Sequence, residues 1–127
     1  MSDLRSPLAR ARGLGSAHDG LHHWWAQRVT AVALVPLVVW FAVSLVMLSG
    51  AEYGAVRAWI SSSLAMVLLT LTIVVGLHHA QLGMQVVIED YVARDGLKLA
   101  CIVAMRFLAV VAGLGAIVAI LRIGFGG

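Results

Sequence analysis

Val29 to Leu48 reads VTAVALVPLVVWFAVSLVML, twenty consecutive residues without a charged side chain. A helix rises about 1.5 Å per residue, so this stretch spans roughly 30 Å, the thickness of the hydrocarbon core of a bilayer. A strand of a membrane barrel would alternate apolar and polar residues, and this run does not. We therefore predict a transmembrane helix, bent at Pro36 because the proline ring removes one backbone hydrogen bond.

Two more apolar segments of membrane-spanning length follow. Ile60 to Ile88 is the longer one, and Leu99 to Leu121 is interrupted only by Arg106. The sequence thus predicts an all-α integral membrane protein with three transmembrane helices. We expect an N-terminal segment, 1–28, and then a three-helix anchor domain, 29–127, whose helices lie at about 29–48, 60–90 and 97–122.

The composition excludes an ordinary water-soluble domain. Of 127 residues, 61% are hydrophobic and 12% are charged, and the mean hydropathy is +0.97. A chain of this length cannot bury that much apolar surface and keep a polar exterior. Little of it remains outside the membrane, so a separate soluble catalytic domain is excluded, and any activity arises among the membrane helices or with partner chains. The single cysteine, Cys101, excludes an internal disulfide and is interpreted as a packing residue.

The basic residues are unevenly distributed and predict the orientation. The first loop and the C-terminal end contain two, Arg57 and Arg122. The N-terminal segment and the second loop contain six, namely Arg5, Arg10, Arg12, Arg28, Arg94 and Lys98. Positive charge accumulates on the cytoplasmic side, so we expect a cytoplasmic N-terminus and a C-terminus on the other side. The basic residues are scattered, and we interpret them as topology signals rather than as a nucleic-acid site.

Both connections between the predicted helices are short, which predicts antiparallel, up-down-up helices.

Two adjacent histidines, His78 and His79, lie about ten residues, or roughly 15 Å, inside the predicted second helix. Ionisable side chains at that depth are costly, which makes these two the most informative residues. Each could simply hydrogen-bond a neighbouring helix, or one could bind haem iron. Gly76 and Gly83 flank His79 at i−3 and i+4, and this bare strip suits either a flat macrocycle or close helix packing. The two histidines point about 100° apart, so a second ligand to one iron would come from another chain.

Polar residues gather at the predicted cytoplasmic ends of the first two helices. Asp90 follows His79 by eleven residues and therefore shares its direction to within about 20°. Arg28 could pair with acidic groups such as haem propionates or anchor the helix at the interface. Tyr91 could donate to a quinone carbonyl or belong to the aromatic belt. We expect Arg106 to snorkel toward the cytoplasm or to contact a partner chain, and we assign it no function.

Two stretches carry a resemblance to a known family. They are HHWWAQRVTA over 22–31 and HAQLGMQVVIEDYV over 79–92. The pattern H-x-x-x-G-M-x-x-V-x-x-D-Y with an upstream R-x-T-A resembles the hydrophobic membrane anchor subunit of succinate dehydrogenase, the smaller of its two anchor chains. The three-helix layout extends the resemblance over nearly the whole chain. It implies that this chain is half of a heterodimeric, haem-binding helix bundle.

The resemblance also implies roles for individual residues. His79, four residues before the Gly-Met pair, would be an axial ligand of haem b, and the preceding His78 would be structural. Tyr91 would hydrogen-bond ubiquinone, with Asp90 in the same neighbourhood. The second haem ligand would come from the other anchor chain.

The same resemblance implies an assembly and a location. Arg28 would lie near the haem propionates and the quinone pocket, and His22 matches a family histidine in that vicinity. The partners would be a flavoprotein, an iron–sulfur protein and the second anchor chain, together forming complex II in a bacterial inner membrane, with the C-terminus periplasmic. The chain itself would be non-catalytic, while the complex passes electrons from succinate to ubiquinone, in the tricarboxylic acid cycle and the respiratory chain.

Three alternatives stay open on the residues alone. A small homo-oligomeric channel or transporter subunit could line a hydrated path with the histidines. A haem-free anchor of the same enzyme family could use His79 only for packing. An assembly or scaffolding protein would have no redox site.

Overall fold

Four helices form the described part of the chain in this computed structural model, which covers residues 7–8 and 16–126. They are α1 (Ser16–Met47), α2 (Tyr53–Ser61), α3 (Ser63–Tyr91) and α4 (Asp95–Gly124). Three of them, α1, α3 and α4, are long and apolar enough to cross a membrane. The described residues contain no β-strand. The prediction of an all-α membrane protein with three spanning helices is confirmed.

The first helix extends beyond the apolar stretch that predicted it on the N-terminal side. It begins at Ser16, well before Val29, and runs through Pro36 to Met47. The backbone of residues 16–28 is therefore part of the same helix as the predicted span. Arg5, Arg10 and Arg12, on which the predicted orientation partly depends, lie outside the described residues.

The short helix α2 was not predicted from the sequence. Ser62 separates it from α3 with extended backbone angles, φ −69° and ψ 139°. The Ser62 hydroxyl donates to the carbonyl oxygen of Trp59 at 2.8 Å and accepts from the amide of Ala65 at 3.3 Å. A serine side chain that satisfies backbone groups in this way ends one helix and begins the next. The apolar run that the sequence presents as continuous from Ile60 is therefore divided.

Contacts from α2 join both of its neighbours in space. The ring of Trp59 stacks on Trp40 of α1, with ring centroids 5.6 Å apart and an interplanar angle of 23°. The Ser61 hydroxyl lies 3.2 Å from the carbonyl oxygen of Ile123 near the end of α4. The short helix thus ties together the ends of the spanning helices on one side of the bundle.

Helices α1 and α3 are antiparallel, as three contacts along their interface show. Thr30 meets His79, a Cβ placed on Gly83 would lie 3.8 Å from Gln27, and one placed on Gly76 would lie 3.8 Å from Leu34. As residue numbers rise along α1, they fall along α3. The end of the bundle that holds Arg28, Tyr91 and the start of α4 is called the Arg28 end below.

Helix α4 packs on the other side of α3, again antiparallel. Gly113 faces Leu77, and Arg106 reaches Gln85. Within the described chain α1 and α4 do not pack on each other, so α3 is the middle helix of a row. Few side chains are buried, and most large apolar ones are exposed. Apolar surface on this scale needs lipid or partner helices to cover it.

Candidate functional site

His79 lies in the interface between α1 and α3. Its side chain is half-buried, and its Nδ1 atom is 2.9 Å from Oγ1 of Thr30 on α1. His78 is exposed and lines a different hollow, together with Ala109 and Gly113 of α4. The two adjacent histidines therefore lie on different sides of α3. His79 faces α1, and His78 lies on the side of α4.

A groove between α1 and α3 runs from His79 toward the Arg28 end. This α1–α3 groove has a volume of about 580 Å³, within the range of sites that hold small molecules and cofactors. Helix α3 contributes His79, Gly83 and Val86 to it. Helix α1 contributes the rest of the lining, which is Gly20, His23, Trp24, Gln27, Arg28 and Ala31. One side of the groove is thus polar and aromatic, and the other is nearly bare around the histidine.

A second hollow of about 380 Å³ lies on the other side of His79 and shares Ala31 with the groove. Apart from the histidine its lining is wholly apolar, consisting of Ala31, Leu34, Val35, Val38 and Val39. His79 therefore stands at the boundary between a hollow that includes polar side chains and one lined by apolar side chains. An amphipathic ligand with an apolar body and a charged edge matches that division.

Two polar atoms in the groove are buried without a hydrogen-bond partner among the described residues. They are Nε2 of His23 and Oε1 of Gln27, and both residues line the groove. Leaving a buried polar atom unsatisfied costs roughly 1–3 kcal/mol. Two residues of the groove lining thus each carry a buried polar atom that no neighbouring described group satisfies.

Arg28 lies at the rim of the groove. Its side chain is exposed, and its guanidinium carbon is 5.3 Å from the ring centroid of Trp24, one turn earlier on α1. The Trp24 ring in turn meets Trp25 edge to face, with centroids 5.2 Å apart. A cation held over an aromatic face keeps its hydrogen-bond donors free for an anionic group.

The two glycines around His79 have different surroundings. Gly76 faces Leu34 of α1, so its bare backbone serves helix packing. Gly83 faces Gln27 and also lines the groove. Both glycines therefore allow α1 to lie close to α3, and Gly83 also borders the groove.

Comparison with known proteins settles the class of the chain. Residues 2–113 match the family model described as the succinate dehydrogenase/fumarate reductase transmembrane subunit. The chain belongs to that family. Succinate dehydrogenase hydrophobic membrane anchor subunits are similar to it along nearly their whole lengths. The one from Paracoccus denitrificans is 34% identical over 122 residues, 95% of this chain and 93% of the relative. The one from Rickettsia bellii is 31% identical over 118 residues, 93% of this chain and 94% of the relative.

The resemblance seen in the sequence is thus confirmed. The chain is a membrane anchor subunit of succinate dehydrogenase and a non-catalytic part of that complex. A channel subunit and a free-standing assembly factor do not fit this membership.

The predicted site residues of this anchor subunit fall into two groups. His79 and Arg28 line one groove. Tyr91 is 84% exposed at the end of α3, about 18 Å along the helix from His79, and Asp90 is exposed beside it. Neither Tyr91 nor Asp90 lines the groove. His22 is exposed on α1, and its neighbour His23 is the one that lines the groove.

Sequence reasoning missed three residues of this site. The R-x-T-A motif contains Thr30 but predicts no role for it, and the sequence patterns predict none for His23 or Gln27. The spacing of His23, Gln27 and Ala31 at i, i+4 and i+8 places them on one face of α1, next to Thr30. That periodicity was the available signal for a polar face directed at α3.

Arg106, left without a role, belongs to a chain of hydrogen bonds outside the groove. Its Nη2 donates to Oε1 of Gln85 at 3.1 Å, and Nε2 of Gln85 donates to Oε1 of Glu89 at 2.8 Å. The chain leads along α3 toward the Arg28 end. The guanidinium thus reaches toward that end, as a snorkelling arginine does, and it contacts α3 of its own chain.

Proposed function

We propose that this anchor subunit supplies one axial ligand, His79, to a haem b shared with the second anchor chain. The observation that carries the proposal is the position of His79 between the α1–α3 groove, whose lining includes Gln27 and Arg28, and the wholly apolar hollow beyond it. A haem has the same division, with an apolar macrocycle and two charged propionates at one edge. The Nδ1 side of the imidazole is engaged by Thr30, which leaves Nε2 for iron.

The residues around His79 fit such a group. Among the described residues no three His, Cys, Asp or Glu side chains gather to hold a bare metal ion. A haem needs no such cluster, because the porphyrin supplies four ligands and the protein adds only axial ones. Arg28 at the rim is suited to a propionate, which its planar guanidinium can bind through two hydrogen bonds. His22 is proposed for the same vicinity, as the neighbour on α1 of the groove residue His23.

The second axial ligand is proposed to come from the other anchor chain. His78 lies on the α4 side of α3, so it does not share the surroundings of His79. Since α1 and α4 do not pack on each other in the described chain, the face formed by α1 and α3 is open to partner helices. A haem bound there would have ligands from both chains, and it would supply one-electron redox chemistry within the membrane.

We further propose that Tyr91 contacts ubiquinone at the Arg28 end, with Asp90 beside it. The Tyr91 side chain is exposed at the end of α3, where its hydroxyl is available as a donor to a ligand outside this chain. A quinone oxygen gains negative charge as it is reduced, and a donor already in place stabilises that charge. Asp90 and water would supply protons. The electrons would come from the flavoprotein and iron–sulfur subunits, docked on this side.

The proposed location is a bacterial inner membrane, with the Arg28 end in the cytoplasm and the C-terminus in the periplasm. The support is the position of Arg28, Arg94 and Lys98 near one end of the bundle, since positive charge accumulates on the cytoplasmic side. The docked catalytic subunits would then lie in the cytoplasm.

The test of haem ligation compares two adjacent histidines in the complete complex. We expect His79→Ala to remove most of the haem b absorbance from the purified complex, because an axial ligand is lost. The matched control, His78→Ala, removes an imidazole one residue away and should leave that absorbance at the wild-type level. An unchanged haem spectrum in the His79→Ala complex would overturn the proposal and show that the haem has other ligands. Absence of haem from the wild-type complex would overturn it as well and would indicate a haem-free anchor.

A further inference from the structure

Oγ1 of Thr30 lies within hydrogen-bond distance of three groups. The carbonyl oxygen of Ala26 is 2.6 Å away, the carbonyl oxygen of Gln27 is 3.1 Å away, and Nδ1 of His79 is 2.9 Å away. The first two belong to the same helix as the threonine, and the third belongs to α3. One hydroxyl thus joins the backbone of α1 to the imidazole of His79.

The count of hydrogens decides which group donates. A threonine hydroxyl has one hydrogen and two lone pairs, and a carbonyl oxygen can only accept. The hydroxyl hydrogen is therefore directed to the carbonyl of Ala26, the shortest of the three contacts, with Gln27 sharing it. The contact with His79 then needs a hydrogen from the imidazole, so Nδ1 donates and the threonine oxygen accepts.

We propose that Thr30 is a positioning residue for His79, holding the imidazole in the tautomer that carries its hydrogen on Nδ1. In that neutral tautomer the lone pair on Nε2 is free to bind a metal. This inference rests on the proposed haem ligation by His79 and names the group that prepares it. A metal-binding histidine usually donates its other N–H to an acceptor that fixes both the tautomer and the ring orientation.

Close approach of the two helices makes the bond possible. Gly76 and Gly83, one turn to either side of His79, lack the side chains that would hold α1 away, and a Cβ at either would already touch α1 at 3.8 Å. Thr30 lies at the level of His79 between those two contacts. The close packing of α1 on α3 therefore brings Thr30 to the imidazole of His79 and so also orients that ring.

The experiment uses the complete complex with three substitutions. Thr30→Val removes the hydroxyl and keeps the shape, and Thr30→Ser keeps the hydroxyl. The matched control is Thr70→Val on α3, because the Thr70 hydroxyl makes the same bond to the carbonyl four residues earlier, Met66, at 2.8 Å. No hydrogen bond joins Thr70 to a histidine among the described residues. All three variants change a threonine of a membrane-spanning helix. Only Thr30→Val removes the hydroxyl that accepts the hydrogen bond from His79.

We expect Thr30→Val to speed haem loss by about 10- to 100-fold, the usual cost of removing a partner of a metal-binding side chain. The low-spin electron paramagnetic resonance signal of the haem should also shift, since the ring is free to rotate. Thr30→Ser should restore both properties, and Thr70→Val should match the wild type. Equal haem retention and equal spectra in the Thr30→Val and Thr70→Val complexes would overturn the inference.

Two further results keep the outcome interpretable. If the valine variant does not assemble, Thr30→Ala replaces it, and identical haem spectra for the alanine and serine variants would likewise overturn the inference. His79→Ala separates the two proposals. Loss of haem in that variant together with a normal Thr30→Val complex rejects only the role of Thr30, whereas a normal spectrum in His79→Ala rejects the ligation itself.

Discussion

Gly113 of α4 lies directly against Leu77 of α3, so closely that a Cβ on the glycine would be 3.0 Å from Cδ1 of the leucine. In lipid the hydrophobic effect does not drive helices together, so their association depends on close van der Waals packing. Small residues such as glycine at the contact points allow this close approach. Leu77 immediately precedes the two histidines. The contact therefore fixes α4 against the segment of α3 that carries the candidate haem ligand.

We expect Gly113→Val to destabilise the anchor by about 1–3 kcal/mol, because overpacking of a close contact forces side chains and backbone to shift. The matched control is Gly115→Val on the same helix, where nothing lies within 4 Å of a new Cβ. Thermal unfolding of the purified complex, followed by loss of haem absorbance or by release of the anchor, measures the difference. Equal midpoints for the two variants would show that the contact is not tight in the assembled protein.

The three spanning helices could be predicted because the membrane imposes their length and apolar character on each segment separately. The break at Ser62 could not be predicted in the same way. Ser62, flanked by two more serines, is neutral in a hydropathy window, and its effect comes from hydrogen bonds to Trp59 and Ala65. Local side-chain bonding of this kind overrides the apolar pattern without changing it.

The candidate site was predictable only where one helix determines it. The divergence of His79 from His78 follows from helical geometry, and in the structure the two histidines line different hollows. Thr30, His23 and Gln27 reach the site through the register between α1 and α3, which a single sequence does not contain. The Arg106–Gln85 contact was missed for the same reason, because it depends on how α4 is placed against α3.

Arg28→Gln is expected to weaken haem retention, because the glutamine keeps much of the length and loses the positive charge proposed to face a propionate. Arg28→Lys should recover this only in part, since a lysine keeps the charge without the planar pair of donors. Arg57→Gln is the control, because Arg57 is an exposed arginine of α2 near the other end of the bundle. The measurement is the ratio of haem to flavin in purified complexes. A wild-type ratio in the Arg28→Gln complex would contradict the assignment.

Gln85→Leu is expected to lower the stability of the α3–α4 pair by about 1 kcal/mol, because it leaves the Arg106 guanidinium without its acceptor in an apolar helix. Gln81→Leu, one turn earlier on α3, makes the same chemical change and should have a smaller effect. The double variant Gln85→Leu/Arg106→Leu should recover part of the loss, since the unpaired charge is then removed as well. Thermal midpoints of the wild type, the single variants Gln85→Leu and Arg106→Leu and the double variant complete the cycle, and strictly additive effects would show that the two side chains are not coupled.

Tyr91→Phe is expected to slow quinone reduction by the complex while leaving succinate oxidation by an artificial soluble acceptor unchanged. The substitution removes only the hydroxyl proposed to donate to the quinone, and loss of such a donor typically costs about 10²–10³-fold where it is the main stabilising group. Tyr53→Phe is the matched control, because the other tyrosine is similarly exposed, 79% against 84% for Tyr91, and lies at the opposite end of the bundle, at the start of α2. Both activities should stay at wild-type levels in that control. If Tyr91→Phe reduced quinone as fast as Tyr53→Phe does, the quinone would have to be bound by other residues.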